Sequence, residues 1–302
     1  MLKNRLSIFA GFITLLVATS AHAADEWKIT QIEAGAYPEE IVAETRAASK
    51  NGLPDGLITT HDGGDIASAW YSQPTERYRH GILGDKIEAG SLMIKTNKGR
   101  TLKIDLPRSE VFEDRAPRLA DLNGNGKIEV ITLRSSVTKG GSVTVYGLSG
   151  GALVQKATTG FIGRANRWLN IAAITPMLGT KYREIAFVQT PHIGGTLFVY
   201  RYSRGKLIQV DAGRDFSNHV IGSREMRLSA IADINADGKA DVAVPSANRT
   251  RLRIMGFGSA GLKDIAGANL PSPINKAIAV QSKGQKGFVV GLENGDIYLV
   301  HP

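Results

Sequence analysis

Cysteine is absent from the 302 residues. A chain without it folds with no disulfide and carries no lipid attached through a cysteine. Long apolar runs are scarce as well. Residues 6–18 form one, too short to span a bilayer, and no later stretch reaches about 18 apolar residues. Local signatures of chemistry are also missing: no nucleophile elbow, phosphate-binding loop or HExxH pattern occurs. What the N-terminus does contain reads as an address. Lys3 and Arg5 precede the apolar run, and Ala21, His22 and Ala23 supply small residues for cleavage before Ala24. The expectation is a signal peptide over 1–23 and a mature chain over 24–302, periplasmic or secreted, monomeric and with no transmembrane segment. Loss of Lys3 and Arg5 takes the formal net charge from +9 to +7. The densest basic group, Arg249, Arg251 and Arg253, alternates as on the outer face of a strand. That spacing suits an anionic surface or a glycan better than sequence-specific nucleic-acid reading.

The most informative pattern is internal. Residues 121–129 (DLNGNGKIE) return almost unchanged as residues 233–241 (DINADGKAD), each after a short apolar lead and before a β-prone stretch. The offset of 112 residues is natural for two structural repeats, and halfway along lie IAAI (171–174) and EIAF (184–187). Each unit then reads as four short strands: a lead, a post-turn strand, a Gly-initiated strand and a final one. GSVTVYGL, GTLFVYRY and TRLRIMGF fill the third place in successive units, with the alternation expected of strands packed on one face. The last unit stops one strand short, and WKITQI (27–32) is spare at the mature N-terminus. We therefore expect a single all-β domain, a β-propeller of five blades closed by that N-terminal strand pairing beside residues 296–300, which leaves no exposed sheet edge. A six-bladed alternative needs a strand over 40–44.

The repeated turns carry oxygen ligands. Side chains at positions 1, 3, 5 and 9 with a carbonyl at 7 suit a hard cation such as Ca²⁺. These are Asp233, Asn235, Asp237 and Asp241 with the Lys239 carbonyl, and Asp121, Asn123, Asn125 and Glu129 with the Lys127 carbonyl. Position 12 holds Val244 and Thr132 instead of a bidentate Glu, which excludes an EF-hand. The rival reading is a metal-free tight turn, because Asn, Asp and Gly favour such turns anyway. Three carboxylates at the second site repel one another without a cation, whereas the first site has two.

Both turns resemble the FG-GAP or VCBS-type repeat (ADxNxDGxxDxxV) of integrin-like β-propellers and many exported bacterial proteins. The matches are residues 120–130 and 232–242. The resemblance implies a turn between the first two strands of a blade that binds Ca²⁺. It carries over fully to Asp233, Asn235, Asp237 and Asp241, and less completely to the Asp121 turn, where Asn125 replaces an acid. It implies a fold more than a function, since such propellers serve adhesion, binding and occasionally catalysis.

With five units, most rare side chains fall on the face opposite those turns. They are Arg79, His80, Arg167, Trp168, His192, Asn218, His219 and Arg224, all in loops, where binding residues usually sit. Each alone also has a bland reading: Trp168 as packing between blades, the histidines as loop hydrogen-bonders, the arginines as partners of nearby carboxylates. The lead strands carry no carboxylate except Asp121 and Asp233, so the acid and nucleophile of a propeller glycosidase are missing. A three-histidine metal site from His80, His192 and His219 is a minor alternative. The expectation is an exported Ca²⁺-binding module whose basic His/Arg/Trp face meets an unknown protein, glycan or anionic ligand. A hydrolase or lyase acting on a glycan or anionic substrate at that face is the alternative.

Overall fold

The computed structural model describes residues 24–37 and 52–302, and its regular structure consists of β-strands and one 3₁₀ turn, Ala34–Ala36. The expected signal peptide over 1–23 and the optional strand over 40–44 lie outside the described residues. The first unit consists of Thr59–Thr60, Ile66–Thr75, Glu88–Thr96 and Thr101–Asp105. The second is Arg118–Ala120, Glu129–Ser136, Gly140–Ser149 and Ala152–Thr158; the third is Leu169–Thr175, Glu184–Gln189, Thr196–Ser203 and Lys206–Arg214. The fourth follows with Ala230–Ala232, Asp241–Pro245, Arg251–Gly258 and Gly261–Asn269. Within each unit, chain neighbours pair antiparallel. The fifth has only Ala279–Gln281, Gly287–Gly291 and Ile297–His301 from the C-terminal end. Its fourth strand is Lys28–Ile32, which pairs antiparallel with Ile297–His301 from Lys28 opposite His301 to Ile32 opposite Ile297. The spare N-terminal strand thus sits where the sequence predicts.

One departure is the link between the first two units. Glu110–Phe112 pairs with Arg134–Ser136 on one side and places Phe112 opposite Ala89 on the other, which fuses the two units into a nine-stranded sheet. A three-residue strand is too short to leave a periodic signal, and its partners lie more than twenty residues away in each direction.

Alternation explains how the sheets stack. Val242 and Val244 pack with Ala186, Val188, Leu197 and Val199 of the third unit. Ala243, between them, packs with Leu252, Ile254, Phe288 and Val290 on the side of the fifth. In the third unit Ile185 and Phe187 face Ile131, Leu133, Val143 and Val145 of the second. Each buried Val, Leu, Ile or Phe contributes about 1.5–3 kcal/mol relative to exposure, and middle strands buried on both faces read as nearly continuous apolar runs. The fifth unit's outer face is covered by Tyr37, which packs on Ala279, Val289, Ile297 and Leu299 and donates its hydroxyl to the Ala277 carbonyl. Close approach fixes one glycine: a Cβ on Gly195 would lie 1.8 Å from the Phe216 carbonyl oxygen, so only glycine opens that strand.

Candidate functional site

Four loops converge on one cavity of about 290 Å³. It is lined by His80 and Ile82 from the first unit, Asn166, Arg167 and Trp168 before the third, Thr190 to Ile193 within it, and Ile221 beyond it. Four of the eight residues predicted for this face, His80, Arg167, Trp168 and His192, are therefore brought together. Asn166 (φ 54°) and Thr190 (φ 52°) hold left-handed backbone conformations in the wall. Such positions cost about 1–3 kcal/mol each and persist where surrounding structure demands them. The rim is apolar: Ile193 and Ile221 are 62% and 66% exposed.

The floor is a hydrogen-bonded aromatic cluster. Trp168 is buried, donates Nε1–H to the Glu113 carbonyl at 2.9 Å, and belongs to the core between the second and third units. His219 meets it edge-on at 4.7 Å between ring centres, and His192 lies parallel to it at 6.2 Å. His192 Nε2 is 3.1 Å from His219 Nδ1, and His219 Nε2 is 2.9 Å from the Ser223 carbonyl. A carbonyl only accepts, so in the neutral ring Nε2 of His219 carries the proton and its Nδ1 accepts from His192. Burial foremost lowers His219 to about 3 and His192 to about 4, with Arg249 adding to both.

Beside the floor lies a carboxylate from the link between the first two units. Glu113 is buried, and its two oxygens meet His80 Nδ1 and Ser135 Oγ, each at 2.5 Å. Burial raises its pKa, while the His80 and Ser135 contacts oppose that shift. Glu88, also buried, is pushed well above the usual carboxylate range by burial and then by Glu113, Asp85, Asp55 and Asp114. Asp114 is held by Tyr71 Oη at 2.9 Å and by Arg118. The only trace of this network in the sequence is the run Glu113, Asp114, Arg115; the burial of three acids, Glu88 from the first unit's third strand and Glu113 and Asp114 from the link to the second unit, leaves none.

The remaining predicted residues do not line the cavity. Arg79 is exposed and pairs with Glu76 at 3.1 Å. Arg224 bridges Asp55 at 3.1 Å and Asp85 at 2.9 Å, and so ties loops together. Asn218 is fully buried; its Nδ2 donates to the Asn170 and Ile171 carbonyls, and Asn170 Nδ2 returns a bond to the Asn218 carbonyl. That reciprocal clamp corrects the expectation of Asn218 as a ligand contact. His219 lies beneath the surface with both ring nitrogens engaged, which also corrects the three-histidine metal site. The basic stripe is likewise neutralised: Arg249 meets Glu293 at 2.8 Å, Arg251 meets Glu26 at 2.7 Å, and Arg253 meets Asp264 at 2.6 Å while stacking on Phe216.

On the other face the two repeated turns share one hydrogen-bond plan. Asp121 accepts from the N–H of residues 123–126, and Asp233 accepts from Asp237 and Gly238. Position 5 closes the turn, Asn125 onto Lys127 N–H and Asp237 onto Lys239 N–H, and Asn235 also accepts from Asp237 N–H. Position 9 reaches back, Glu129 to Leu122 N–H and Asp241 to Ile234 N–H. Burial would raise Asp121, but its four backbone donors bring it below the usual range. Burial raises Glu129 to about 7 and Asp241 to about 6, with Asp237 and Asp233 adding to the latter. Among the described residues, no three His, Asp or Glu side chains gather as a ready metal cage.

No family model matches the chain, and no curated protein matches it. Among solved structures it is similar to the exotype rhamnogalacturonan lyase YesX, with 13% identity, TM-score 0.44, and coverage of 81% of this chain and 56% of that one. It is also similar to the rhamnogalacturonan lyase YesW, with 14% identity, TM-score 0.44, and coverage of 83% and 58%. A Bacillus licheniformis rhamnogalacturonan lyase, PL11, aligns at 14% identity, TM-score 0.43, and coverage of 85% and 59%. The chain thus spans less than two thirds of the length of these proteins. No helix of the described residues is long and apolar enough to cross a membrane.

Proposed function

We propose that the protein is an exported five-bladed β-propeller of the FG-GAP or VCBS type that acts as a binding module for a protein, glycan or anionic ligand. The observation that carries the binding role is the cavity where His80, Arg167, Trp168 and His192 arrive from three separate loops. A few convergent polar groups within an apolar rim are the usual form of a ligand site. Arg167 supplies the cation, since its guanidinium donates to the neutral Asn166 carbonyl and forms no ion pair with a described residue. Five sequential four-stranded units with Lys28–Ile32 completing the last support the ring. A thermal-shift screen of glycans and organic anions tests the role. A ligand that binds the native protein and is weakened in Arg167→Ala and in Ile221→Asp supports it; hits that ignore both substitutions refute the cavity as the site.

Calcium fits the second turn. Acids occupy positions 1, 5 and 9 of that turn, Asp233, Asp237 and Asp241, and Asp241 is raised chiefly by burial and then by Asp237 and Asp233. Each carboxylate offers about four lone-pair positions, more than the turn's N–H groups use. Asp233, Asn235, Asp237, Asp241 and the Lys239 carbonyl would hold the ion, which would stiffen the turn. Asp121, Asn123, Asn125, Glu129 and the Lys127 carbonyl form the weaker copy.

One observation favours a second reading, a hydrolase or lyase in the same cavity. His80 Nδ1 lies against the buried Glu113 carboxylate, which orients an imidazole so that its Nε2 could accept a proton. Glycan turnover that disappears in His80→Gln would establish this reading over the binding one.

A further inference from the structure

A second cavity, of about 510 Å³, lies on the side of the molecule that carries the Asp121 turn. Four stretches of the first two units build it, one of them the turn that holds Gly64 and Asp65. The hairpin tip after Glu88–Thr96 brings Asn97, Lys98 and Arg100. The Asp121 turn brings Lys127. The tip between Gly140–Ser149 and Ala152–Thr158 brings Ser149, Gly150, Gly151 and, on the strand, Lys156. Four cations therefore surround one groove, and its sole acidic lining residue is Asp65. Asp65 Oδ1 is already committed to the Ile128 N–H at 2.8 Å. Glu129, whose carboxyl Lys156 influences, is directed to the Leu122 N–H instead.

Arg115, Arg118, Arg134, Arg201, Arg227 and Arg253 each meet a carboxylate. None of Lys98, Arg100, Lys127 and Lys156 makes an ion pair with a described residue; among the described residues the Arg100 guanidinium makes a single hydrogen bond, to the Gly151 carbonyl at 3.4 Å. Four like charges around a concave surface repel one another, and a concave wall focuses their potential outward. The lining has no aromatic side chain on which a base could stack. Thr96, Asn97 and Ser149 add short polar groups, and Leu102 and Leu148 form an apolar patch.

We propose that this groove binds a ligand carrying two or more clustered oxyanion charges, phosphate or sulfate in type, through Lys98, Arg100, Lys127 and Lys156. It is separate from the His80 cavity and does not rest on that site's reading. The charges are presented free, as in a small polyanion, or on an anionic lipid surface.

Inorganic tripolyphosphate is the probe, titrated calorimetrically into the full mature chain at low and moderate salt. The expected result is saturable one-to-one binding that weakens as salt rises. Arg100→Ala with Lys156→Ala should weaken it at least about tenfold, while Arg167→Ala in the other cavity leaves it unchanged. Single charge reversals, Lys98→Glu and Lys127→Glu, should act in the same direction if the double variant loses its fold. No saturable binding by the native protein, or equal binding by folded double and reversal variants, overturns the proposal. Vesicles containing phosphatidylglycerol separate the sources. Sedimentation with vesicles that tripolyphosphate competes away supports the groove with a membrane-borne charge. Absence of sedimentation alongside tripolyphosphate binding supports a free polyanion. Sedimentation that tripolyphosphate leaves untouched, equal in the double variant, overturns it.

Discussion

His192 donates its Nε2–H to Nδ1 of His219 across 3.1 Å, and His219 passes the polarity on to the Ser223 carbonyl. The relay has one direction in the neutral state, and a proton added to His219 must displace the bond that its Nδ1 accepts from His192. Its position under the Trp168 ring ties the cavity floor to the loop that carries Arg224.

This arrangement predicts acid sensitivity. Both folded-state values, about 4 and about 3, lie below the ordinary histidine value, and burial is the leading cause. The unfolded chain therefore binds more protons between pH 6.5 and 4, so this contribution is complete above about pH 6.5 and declines as pH falls. Buried Glu88 and Glu113, with raised values, act in the opposite sense. The comparison that isolates the pair is urea unfolding of the native protein and His219→Gln at pH 7.5 and 5.0. The variant should lose less stability on acidification; parallel profiles would sink the idea.

Asn218 is expected to matter to folding and not to recognition. Its side chain closes a reciprocal clamp with Asn170, buried among carbonyl groups that have no water to turn to. Asn218→Ala should cost about 1–3 kcal/mol, measured by denaturant midpoint, while any ligand of the His80 cavity binds the folded fraction with native affinity. A fully stable variant with impaired binding would reverse the assignment.

Calcium should raise the melting temperature of the native protein. A hundredfold excess over the dissociation constant adds about 2.7 kcal/mol. Asp237→Ala should reduce the response, and Asn125→Asp, which restores an acid at position 5 of the first turn, should enlarge it. Identical shifts in all three proteins, with no ion detected by mass spectrometry, would rule out both turns.

The N-terminal strand predicts a truncation phenotype. Lys28–Ile32 satisfies the outer edge of Ile297–His301, and Thr30 Oγ1 meets His301 Nε2 at 2.9 Å. A chain beginning at residue 34 should expose that edge, melt earlier and self-associate more readily. Unchanged melting and unchanged light scattering would show that the strand is dispensable.

The sequence by itself determined the order and pairing of the strands within each unit. Alternation in LFVYRY or VTVYG, the turn residues of the two acidic loops and the spare WKITQI are local or repeat-level signals. Pairing within a unit obeys such signals because each strand's partner there is its chain neighbour, or in the last unit the spare N-terminal strand; Glu110–Phe112, and Asp25–Glu26 beside Ala266 and Gly267, leave no such signal. The convergence of His80, Arg167, Trp168 and His192 follows from the same repeat, since corresponding loops leave one end of each unit. Tertiary structure alone decided which of these side chains meet solvent. Trp168 and His219 are buried because the third unit's entry loop packs against the second. Arg224 is occupied because Asp55 and Asp85, more than a hundred residues earlier, come within hydrogen-bonding distance. Glu110–Phe112 joins two sheets through partners on both sides, and Glu113 becomes the anchor of His80 only after that join. Burial and ion pairing depend on residues brought together by stacking, and a period of two or a repeat of 112 carries no record of them.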